Sequence, residues 1–536
     1  MKIMFAALLA AAPVAAAPTF SPDRVKAHVA FLADDLLEGR GTGTRGHEIA
    51  AAYVAAQFAA FGLLPGAKDG SWYQQVRLQE QRSGTTPGAV TIGGRTHVHG
   101  SDVLVGVSRR AAATDVEGAV VFAGFGIDAP LQGYDDYAGL DVRGKIVAVL
   151  SGSPIGPPDE VLAHLQHCAV KARAAAARGA VGLITLPTPA AERRGGSWAK
   201  QVTASAIPSM TYVGADGLPN DTAPALKANA TFDRAAADAL FAGAPRDFAA
   251  IFAEAGQPSA QPKGFALPTR ARITASASFR ALTSPNVIGV LPGSDPKLRA
   301  EVVVLMAHLD HLGIGPAIKG DAIYNGALDN AAGVATMLEV ARAFASAKPP
   351  KRTLMFVANT AEEKGLLGAE ALANDPPVPI GNFAAVVDLD QPMLLYDFTD
   401  VIAFGGDHST MGASIARAAA KAGVKVAADP MPEQAIFTRS DHYTFVKRGV
   451  PALLLATGHG NGGKAAWERY LTTDYHQPSD DMKLPIDWAA GAKYAKVNYL
   501  IARELADAPD RARWYADDYF GATFAPGAPK SLRKGP

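Results

Sequence analysis

Histidine and acidic residues recur at five separated places in the C-terminal half of the chain. Those singled out as metal ligands are His308, Asp329, Glu363, Asp390 and His476. Mixed imidazole and carboxylate ligation suits zinc, and no thiolate is needed. Two histidines and three carboxylates, with a spare glutamate beside them, therefore predict a two-metal hydrolytic site if the fold brings them together.

The first motif is Ala307–His311, directly after the apolar run Val302–Met306. Side chains two positions apart on an extended chain face the same side, so His308 and Asp310 can face one site. A metal-bound imidazole usually donates its other N–H to a carboxylate or a carbonyl, and this motif offers both partners. The alternative is a partly buried histidine that is hydrogen-bonded to Asp310 without any metal.

The second motif surrounds Asp329 and precedes a strongly helical run. As a carboxylate with two oxygens, Asp329 could bridge two cations, and the small residues around it permit close approach of the backbone. The alternative is that Asp329 or Asn330 caps the following helix.

The third motif is the adjacent pair Glu362 and Glu363, after an apolar run. Two neighbouring carboxylates repel each other unless a cation or a proton lies between them. One could bind metal while the other acts as a general base. The alternative is an acidic pair favoured in the first turn of a helix.

The last two motifs contain Asp388 with Asp390, at the end of an apolar run, and His476, in a polar loop. Asp390 is the predicted ligand of its pair, and His476 is the second imidazole. A solvated strand end and a solvated loop histidine are the competing interpretations.

The elements that must position these residues alternate between strand and helix from Asn286 onward, which predicts an α/β fold with a mostly parallel central sheet flanked by helices. The predicted strands are Val287–Leu291, Val302–Met306, Leu354–Ala358, Ala384–Leu389, Val401–Phe404 and Ala452–Ala456. The predicted helices are Gly333–Ala347, Leu366–Ala373, Met411–Ala422 and Ala489–Ala506. Ligands gather at the carboxyl ends of such strands, where most of the motifs lie.

The chain has 536 residues, which predicts two or three domains. Residues 111–262 carry short strands rich in β-branched residues and an alanine-rich helix, so we predict that they form an inserted, smaller, β-rich α/β domain. Residues 17–110 and 263–536 then form a discontinuous main domain. The proline- and alanine-rich passage Gly256–Pro268 is the expected link back.

The N-terminus has a lysine, a short apolar run and small residues before position 17, which predicts a signal peptide over residues 1–16. The run is too short to span a membrane, so we expect a secreted or periplasmic bacterial protein without membrane attachment after cleavage. Lys plus Arg equals Asp plus Glu, 51 each, which argues against nucleic-acid binding. No oligomeric state is indicated.

The chain contains a single cysteine, Cys168. It has no partner for an intramolecular disulfide or for a cysteine-based zinc site. We expect it to be a buried small hydrophobic residue. A cysteine nucleophile is the alternative, because His164 and His167 are close in sequence.

Together the motifs resemble the two-zinc aminopeptidase family that also contains glutamate carboxypeptidase II, the transferrin receptor and glutaminyl cyclase. The resemblance covers residues 286–507 and, more weakly, 22–110. It implies two zinc ions per chain, one bound by His308 and Asp390, the other by Glu363 and His476, with Asp329 bridging them and a cis bond to Asn330. Residues 141–147 resemble part of a protease-associated domain.

The same resemblance implies catalytic roles. Glu362 is the expected general base, Asp310 orients His308, and Tyr475 donates a hydrogen bond to the oxyanion, as in the carboxypeptidase branch. The chain departs from many relatives at Asp388, where they have asparagine, and this adds negative charge near the site.

The expected activity is removal of N-terminal residues from peptides, with Asp441 as a possible contact for the substrate amine. A carboxypeptidase or dipeptidase is the alternative, with Arg439 holding a substrate carboxylate. Glutaminyl cyclisation would use one zinc. A non-catalytic binding protein of the same fold is disfavoured, because all five ligand positions and Glu362 are retained.

Overall fold

Two β-sheets that share one long strand organise the molecule. The computed structural model describes residues 18–533, so the predicted signal peptide, residues 1–16, lies outside the described residues. The strands are β1 Leu64–Pro65, β2 Tyr73–Ser83, β3 Ala89–Ile92, β4 Arg95–Val98, β5 Val103–Gly106, β6 Ala113–Phe122, β7 Asp128–Ala129, β8 Tyr134–Asp135, β9 Ile146–Leu150, β10 Gly182–Leu186, β11 Ser209–Tyr212, β12 Ala228–Phe232, β13 Phe265–Leu291, β14 Val302–His308, β15 Gly313–Ile318, β16 Asp321–Tyr324, β17 Thr353–Asn359, β18 Phe383–Asp388, β19 Asp400–Phe404, β20 Lys425–Ala427 and β21 Ala452–Thr457.

Fifteen α-helices accompany these strands in the described part of the chain. They are α1 Pro22–Leu32, α2 Arg45–Ala60, α3 Glu160–Leu165, α4 Cys168–Ala177, α5 Pro189–Gly195, α6 Trp198–Ser205, α7 Arg234–Leu240, α8 Phe248–Ala255, α9 Ala332–Ala345, α10 Leu367–Asn374, α11 Met411–Ala422, α12 His442–Val446, α13 Gly463–Thr473, α14 Trp488–Asp507 and α15 Tyr519–Phe524. None of the helices within residues 18–533 is both long and apolar enough to cross a membrane.

The larger sheet is mostly parallel at its centre. Strand β14 lies between β17 and β18 and runs parallel to both, and β18 runs parallel to β21. Every residue of β14 is buried, and both α9 and α14 pack against it. A strand buried in this way has a continuous apolar sequence, as Val302–Met306 has. The predicted α/β fold with a mostly parallel central sheet flanked by helices is confirmed.

The smaller sheet has its own parallel centre, in which β9 pairs with β6 and β10, and β10 pairs with β12. It encloses a separate apolar core that includes Phe122, Ile146, Ile184 and Phe232. Strand β13 connects the two sheets, because its first half pairs with β6 and its second half with β17. The strand predicted at Val287–Leu291 is thus only the end of a much longer one.

Strands β3, β4 and β5 belong to the smaller sheet, since β3 pairs with β13 and β5 pairs with β12. The predicted start of the inserted domain at residue 111 would therefore divide this sheet. Likewise, the expected link Gly256–Pro268 ends inside β13. Alternation of polar and apolar residues can indicate a strand, but it does not say which sheet the strand joins.

Cys168 is exposed, so the expectation that it is a buried hydrophobic residue is wrong. It is the first residue of α4, and the buried residues of that helix, Lys171 and Ala175, lie three and seven positions later.

Candidate metal centre

Three of the predicted motifs follow the carboxyl ends of β14, β17 and β18. Because β14 runs parallel to both neighbours, these ends meet at one edge of the sheet. Residues at the ends of these three strands therefore come close in space. They are His308, which ends β14, Glu362 and Glu363, which follow β17, and Asp390, which follows β18.

The first cluster is formed by His308, Asp329 and Asp390. The Nε2 atom of His308 lies 3.1 Å from Oδ1 of Asp329 and 3.1 Å from Oδ1 of Asp390. The ligand atoms of the three residues all lie within 4.8 Å of one another, close enough to share one ion.

The second cluster joins Asp329 to the other two predicted ligands. The Nε2 atom of His476 lies 3.3 Å from Oδ2 of Asp329 and 3.4 Å from Oε2 of Glu363. Asp329 thus presents one oxygen to His308 and the other to His476. The structure brings all five predicted ligand residues together, with Asp329 in the middle.

The pKa shifts of His308 and Asp329 indicate which groups of this site are charged. Burial alone lowers the pKa of His308, but Asp390 and Asp329 outweigh it and hold that pKa well above its usual value. Burial likewise raises the pKa of Asp329, but hydrogen bonds from His308 and His476 hold it well below its usual range. The Asp329 carboxylate therefore keeps its charge, and either protons on the imidazoles or divalent ions beside it can balance that charge. The donor set, two imidazoles and three carboxylates, fits zinc.

His311 lies in the same cluster, although no role was predicted for it. Its buried Nδ1 atom is 2.7 Å from Oε1 of Glu363, and the ligand atoms of His311, Asp329 and Glu363 lie within 4.8 Å of one another. Neither ring nitrogen of His311 has an aligned hydrogen-bond partner among the described residues. Its position three residues after His308, in the same motif, could have marked it as a further candidate ligand.

Gly326 makes room for this arrangement. Its φ is +60°, and a Cβ atom there would lie 2.1 Å from the carbonyl oxygen of Asp329 and 2.6 Å from the ring of His311. Only glycine fits both the conformation and the space. The peptide bond between Asp329 and Asn330 is cis, as the resemblance implied.

Asp310 contacts its neighbours differently from the prediction. Nδ1 of His308 lies 3.0 Å from the main-chain oxygen of Asp310, not from its carboxylate. The carboxylate instead accepts hydrogen bonds from the hydroxyl of Thr42, at 2.9 Å, and from the main-chain N–H of Glu362, at 3.1 Å. Because only one residue separates His308 from Asp310, the main-chain oxygen of Asp310 lies next to the imidazole. The Asp310 carboxylate is therefore free to accept the hydrogen bond from the N–H of Glu362.

Glu362 faces the same cavity as the clusters, together with Asp329 and Asp390. Removal from water raises the pKa of its carboxyl well above the usual value. The nearby His308 opposes this shift, and the Asp390 carboxylate adds to it.

Tyr475 also lines the cavity, with its ring stacked on His476 at a centroid distance of 3.9 Å. Burial raises the pKa of its hydroxyl far above the usual value, and the Asp329 carboxylate adds to the shift. The hydroxyl therefore stays protonated and can donate a hydrogen bond.

Arg40 is a further residue that the sequence did not single out. Its fully buried guanidinium donates to the carbonyl oxygens of Leu32, Leu309, Asn325 and Gly326. The carbonyl of Leu32 ends helix α1, and the other three belong to the segments next to His308 and Asp329. Burial lowers the pKa of Arg40 to about 10, so the group stays charged at neutral pH.

The cavity beside the clusters has a volume of ≈ 130 Å³. One part of its wall is apolar and consists of Phe404, Met431, Ile436, Leu454, Ala456, Trp467 and Leu471. Arg439 lines it too. Asp441 does not line it: this side chain is buried and accepts a hydrogen bond from Asn359, so its suggested contact with a substrate amine is wrong.

Asp388 also lies behind the cavity wall. Its carboxylate accepts hydrogen bonds from the hydroxyl of Ser440 at 2.9 Å and from the main-chain N–H of His442 at 3.1 Å. The same hydroxyl lies 2.6 Å from Oδ2 of Asp390. The Asp388 carboxylate thus holds the main chain and the hydroxyl of the segment around Ser440. Burial raises the pKa of the neighbouring Asp390, and the charge of Asp388 adds to that shift.

Parts of the chain are similar to known proteins. Residues 286–502 match the family model described as Peptidase family M28. A probable zinc metalloprotease of Pyrenophora teres f. teres is 42% identical over 105 residues, 19% of this chain and 22% of that protein. Aminopeptidase YwaD of Bacillus subtilis is 36% identical over 92 residues, 17% of this chain and 18% of that protein. The chain thus spans about a fifth of the length of these curated relatives.

Among solved structures, an aminopeptidase from Aneurinibacillus sp. strain AM-1 aligns with a TM-score of 0.48 and 22% identity, over 94% of this chain and 97% of that one.

Proposed function

We propose, from the match of residues 286–502 to Peptidase family M28 and from the geometry of the site, that the chain is a zinc-dependent exopeptidase that removes N-terminal residues from peptides. The observation that carries the proposal is the pair of ligand clusters that share Asp329, with Glu362 in the same cavity. Two clusters with one bridging carboxylate support two zinc ions per chain. His308 and Asp390 would hold one, and Glu363 and His476 the other.

The chain's own groups provide the acid–base and positioning steps. When bound, zinc supplies Lewis-acid activation of water and of the scissile carbonyl. Glu362 accepts a proton from the attacking water and returns it to the leaving amine. Asp310 holds the main chain of Glu362 through its carboxylate and contacts His308 through its carbonyl. The hydroxyl of Tyr475 donates a hydrogen bond to the negative charge that develops on the oxygen of the scissile carbonyl.

The size and lining of the cavity suit a substrate whose N-terminal residue has a bulky apolar side chain. Its volume of ≈ 130 Å³ is small beside the roughly 300–1,000 Å³ of pockets that enclose drug-sized ligands, so it suits a single side chain. The apolar wall favours leucine-like or aromatic groups.

A panel of peptides with free and acetylated N-termini tests this activity. We expect hydrolysis of the free peptides, with a preference for leucine or phenylalanine over alanine or aspartate at the first position. Glu362→Gln should keep zinc and lose about 100-fold to 10,000-fold in kcat. Equal cleavage of acetylated peptides would contradict the aminopeptidase assignment, and substantial activity of Glu362→Gln would contradict the role of that residue.

Arg439 favours a second candidate, a carboxypeptidase or dipeptidase, because its guanidinium lines the same cavity and could hold a substrate carboxylate. Amidating the C-terminus of the test peptides separates the two activities. An aminopeptidase still cleaves amidated peptides, whereas a carboxypeptidase does not.

Two further predictions complete the proposal. The predicted signal peptide, residues 1–16, supports export, so the mature bacterial protein would act in the periplasm or outside the cell. The protease-associated domain is proposed for residues 111–262, to which strands β3, β4 and β5 add their part of the smaller sheet. N-terminal sequencing of the exported protein should find a start at residue 17.

A further inference from the structure

Helix α3, Glu160–Leu165, lies in the inserted segment but contacts the part of the chain that carries the cavity. Glu160 and His164 are four residues apart on this helix and therefore face the same side. Each makes a hydrogen bond to a residue more than 200 positions further along the chain.

The first contact joins His164 to Tyr443. Nδ1 of His164 lies 2.7 Å from the hydroxyl oxygen of Tyr443, and both side chains are buried. Burial lowers the pKa of His164 to about 4, so the ring is neutral at pH 7 and can accept the hydrogen bond of the hydroxyl. Three more aromatic rings, those of Tyr519, Phe520 and Phe524, surround the imidazole with centroid distances of 5.5–6.3 Å.

The second contact joins Glu160 to His408. Nε2 of His408 lies 2.7 Å from a carboxylate oxygen of Glu160, and Nδ1 lies 2.6 Å from a carboxylate oxygen of Asp518. Both ring nitrogens are thus engaged, which fixes the orientation of the imidazole.

Both contacts converge on Phe437. Its ring centroid is 4.5 Å from that of His408, 5.1 Å from that of Phe520 and 5.5 Å from that of Tyr443. Phe437 is completely buried. It belongs to residues 431–440, the segment that contributes Met431, Gln434, Ile436, Arg439 and Ser440 to the cavity wall.

We propose that helix α3 sets the shape of the substrate cavity, with His164 as a positioning residue that fixes residues 431–440 through Tyr443 and Phe437. The inserted segment thereby helps to determine which N-terminal side chain is accepted. This inference rests on the proposed aminopeptidase function. His164 itself does not line the cavity, so it acts only through the wall that it supports.

Steady-state kinetics of His164→Ala, His164→Gln and Tyr443→Phe test the inference on the full chain, with leucine, phenylalanine and alanine amides as substrates. His164→Ala and Tyr443→Phe should raise KM for the leucine and phenylalanine substrates about tenfold, the size expected for losing one buried hydrogen bond. Values of kcat and zinc content should stay within about twofold, because the ligand clusters are untouched. KM for alanine should change less, since its side chain barely reaches the wall.

His164→Gln provides the conservative rescue, because a glutamine amide can still accept the hydrogen bond of Tyr443, and its KM should lie closer to wild type. Tyr443→Phe removes only a hydroxyl, so it stays informative if His164→Ala folds poorly. His97→Ala is the matched control: His97 is a buried histidine bonded to Asp102 at 2.6 Å in the smaller sheet, away from α3.

The outcomes separate the inference from the function on which it rests. A wild-type chain that cleaves no free-amine substrate contradicts the proposed function. An active wild type whose His164 and Tyr443 variants show the same KM values as His97→Ala contradicts only the role of α3. An equal loss for all substrates, with zinc content falling in parallel, would also overturn it, because that pattern indicates general destabilisation.

Discussion

Asp480 accepts a hydrogen bond from the main-chain N–H of Asp329 at 3.0 Å, although 151 residues separate the two. The same carboxylate accepts from the N–H of Leu328 at 2.9 Å and from the hydroxyl of Tyr470 at 2.9 Å. Asp480 is not among the clustered ligand residues. It holds the main chain of the residue on which both clusters depend, from the loop that also carries His476.

Replacing Asp480 with asparagine should weaken zinc binding without unfolding the protein. The amide keeps one acceptor oxygen but points an N–H₂ group at a donor, so the loop around Asp329 loses at least one hydrogen bond. Supporting partners of this kind typically contribute about 10-fold to 100-fold in metal affinity. Competition with a chromogenic chelator measures the change.

The neighbouring Asp481→Asn is the control, because the carboxylate of Asp481 contacts only Lys483 in the described hydrogen bonds. Equal zinc affinities for the two variants would show that Asp480 does not support the metal site.

His311→Gln should lower the affinity for the zinc ion proposed at Glu363 and His476 more than for the one proposed at His308 and Asp390. The imidazole lies 2.7 Å from Oε1 of Glu363, and glutamine cannot place a nitrogen at the same point with the same rigidity. Stepwise cobalt substitution, followed by visible absorption, distinguishes the two sites. His97→Gln serves as the control, and unchanged occupancy of both sites in His311→Gln would contradict the expectation.

Arg40→Met should lower the stability of the whole molecule. The variant leaves four main-chain carbonyls without their donor in a buried environment, and each such loss costs on the order of 1–3 kcal/mol when water cannot enter. We expect a total loss of at least about 3 kcal/mol, visible as a lower melting temperature and a lower urea midpoint. The exposed Arg45→Met should change stability by less than about 0.5 kcal/mol, and a similar result for Arg40→Met would refute its structural role.

The stability contributed by His408 should disappear in alkaline solution. Burial lowers its pKa, but the hydrogen bonds and charges of Asp518 and Glu160 outweigh burial and raise the pKa to about 9. Because the folded pKa lies above the usual 6.5, the contribution is fully present below about pH 6.5 and is lost as the pH rises through about 9.

The shift corresponds to a contribution on the order of 3 kcal/mol at low pH. Urea unfolding of the wild type and of His408→Gln should therefore differ most near pH 6 and converge towards pH 10. A difference that is constant between these pH values would show that the imidazole carries no charge in the folded protein.

The strand-end ligands could be placed from the sequence because two local signals combine. Apolar runs of strand length were followed by His308, Glu363 and Asp390, and parallel strands bring their carboxyl ends to one edge. Asp329 and His476 lie in loops, where no periodicity gives a position in space. Their inclusion depended on the resemblance to a known family.

The supporting residues could not be predicted in this way. Arg40 lies in a glycine-rich break, and its acceptors at Leu309 and Gly326 are more than 260 residues away. Contacts to main-chain atoms require no matching side chain, so nothing in the sequence around either partner marks them. The smaller sheet shows the same limit, because the pairing of β5 with β12 spans more than 120 residues.

The most direct measurement is the zinc content of the purified, folded chain, determined together with peptidase activity during titration of the metal-free protein. The account predicts two zinc ions per chain for the wild type and for Glu362→Gln, with activity only in the former, and loss of tight binding in Asp329→Ala, since Asp329 faces both clusters. A wild type that binds no zinc at this site, or an Asp329→Ala variant that keeps two ions, would contradict it.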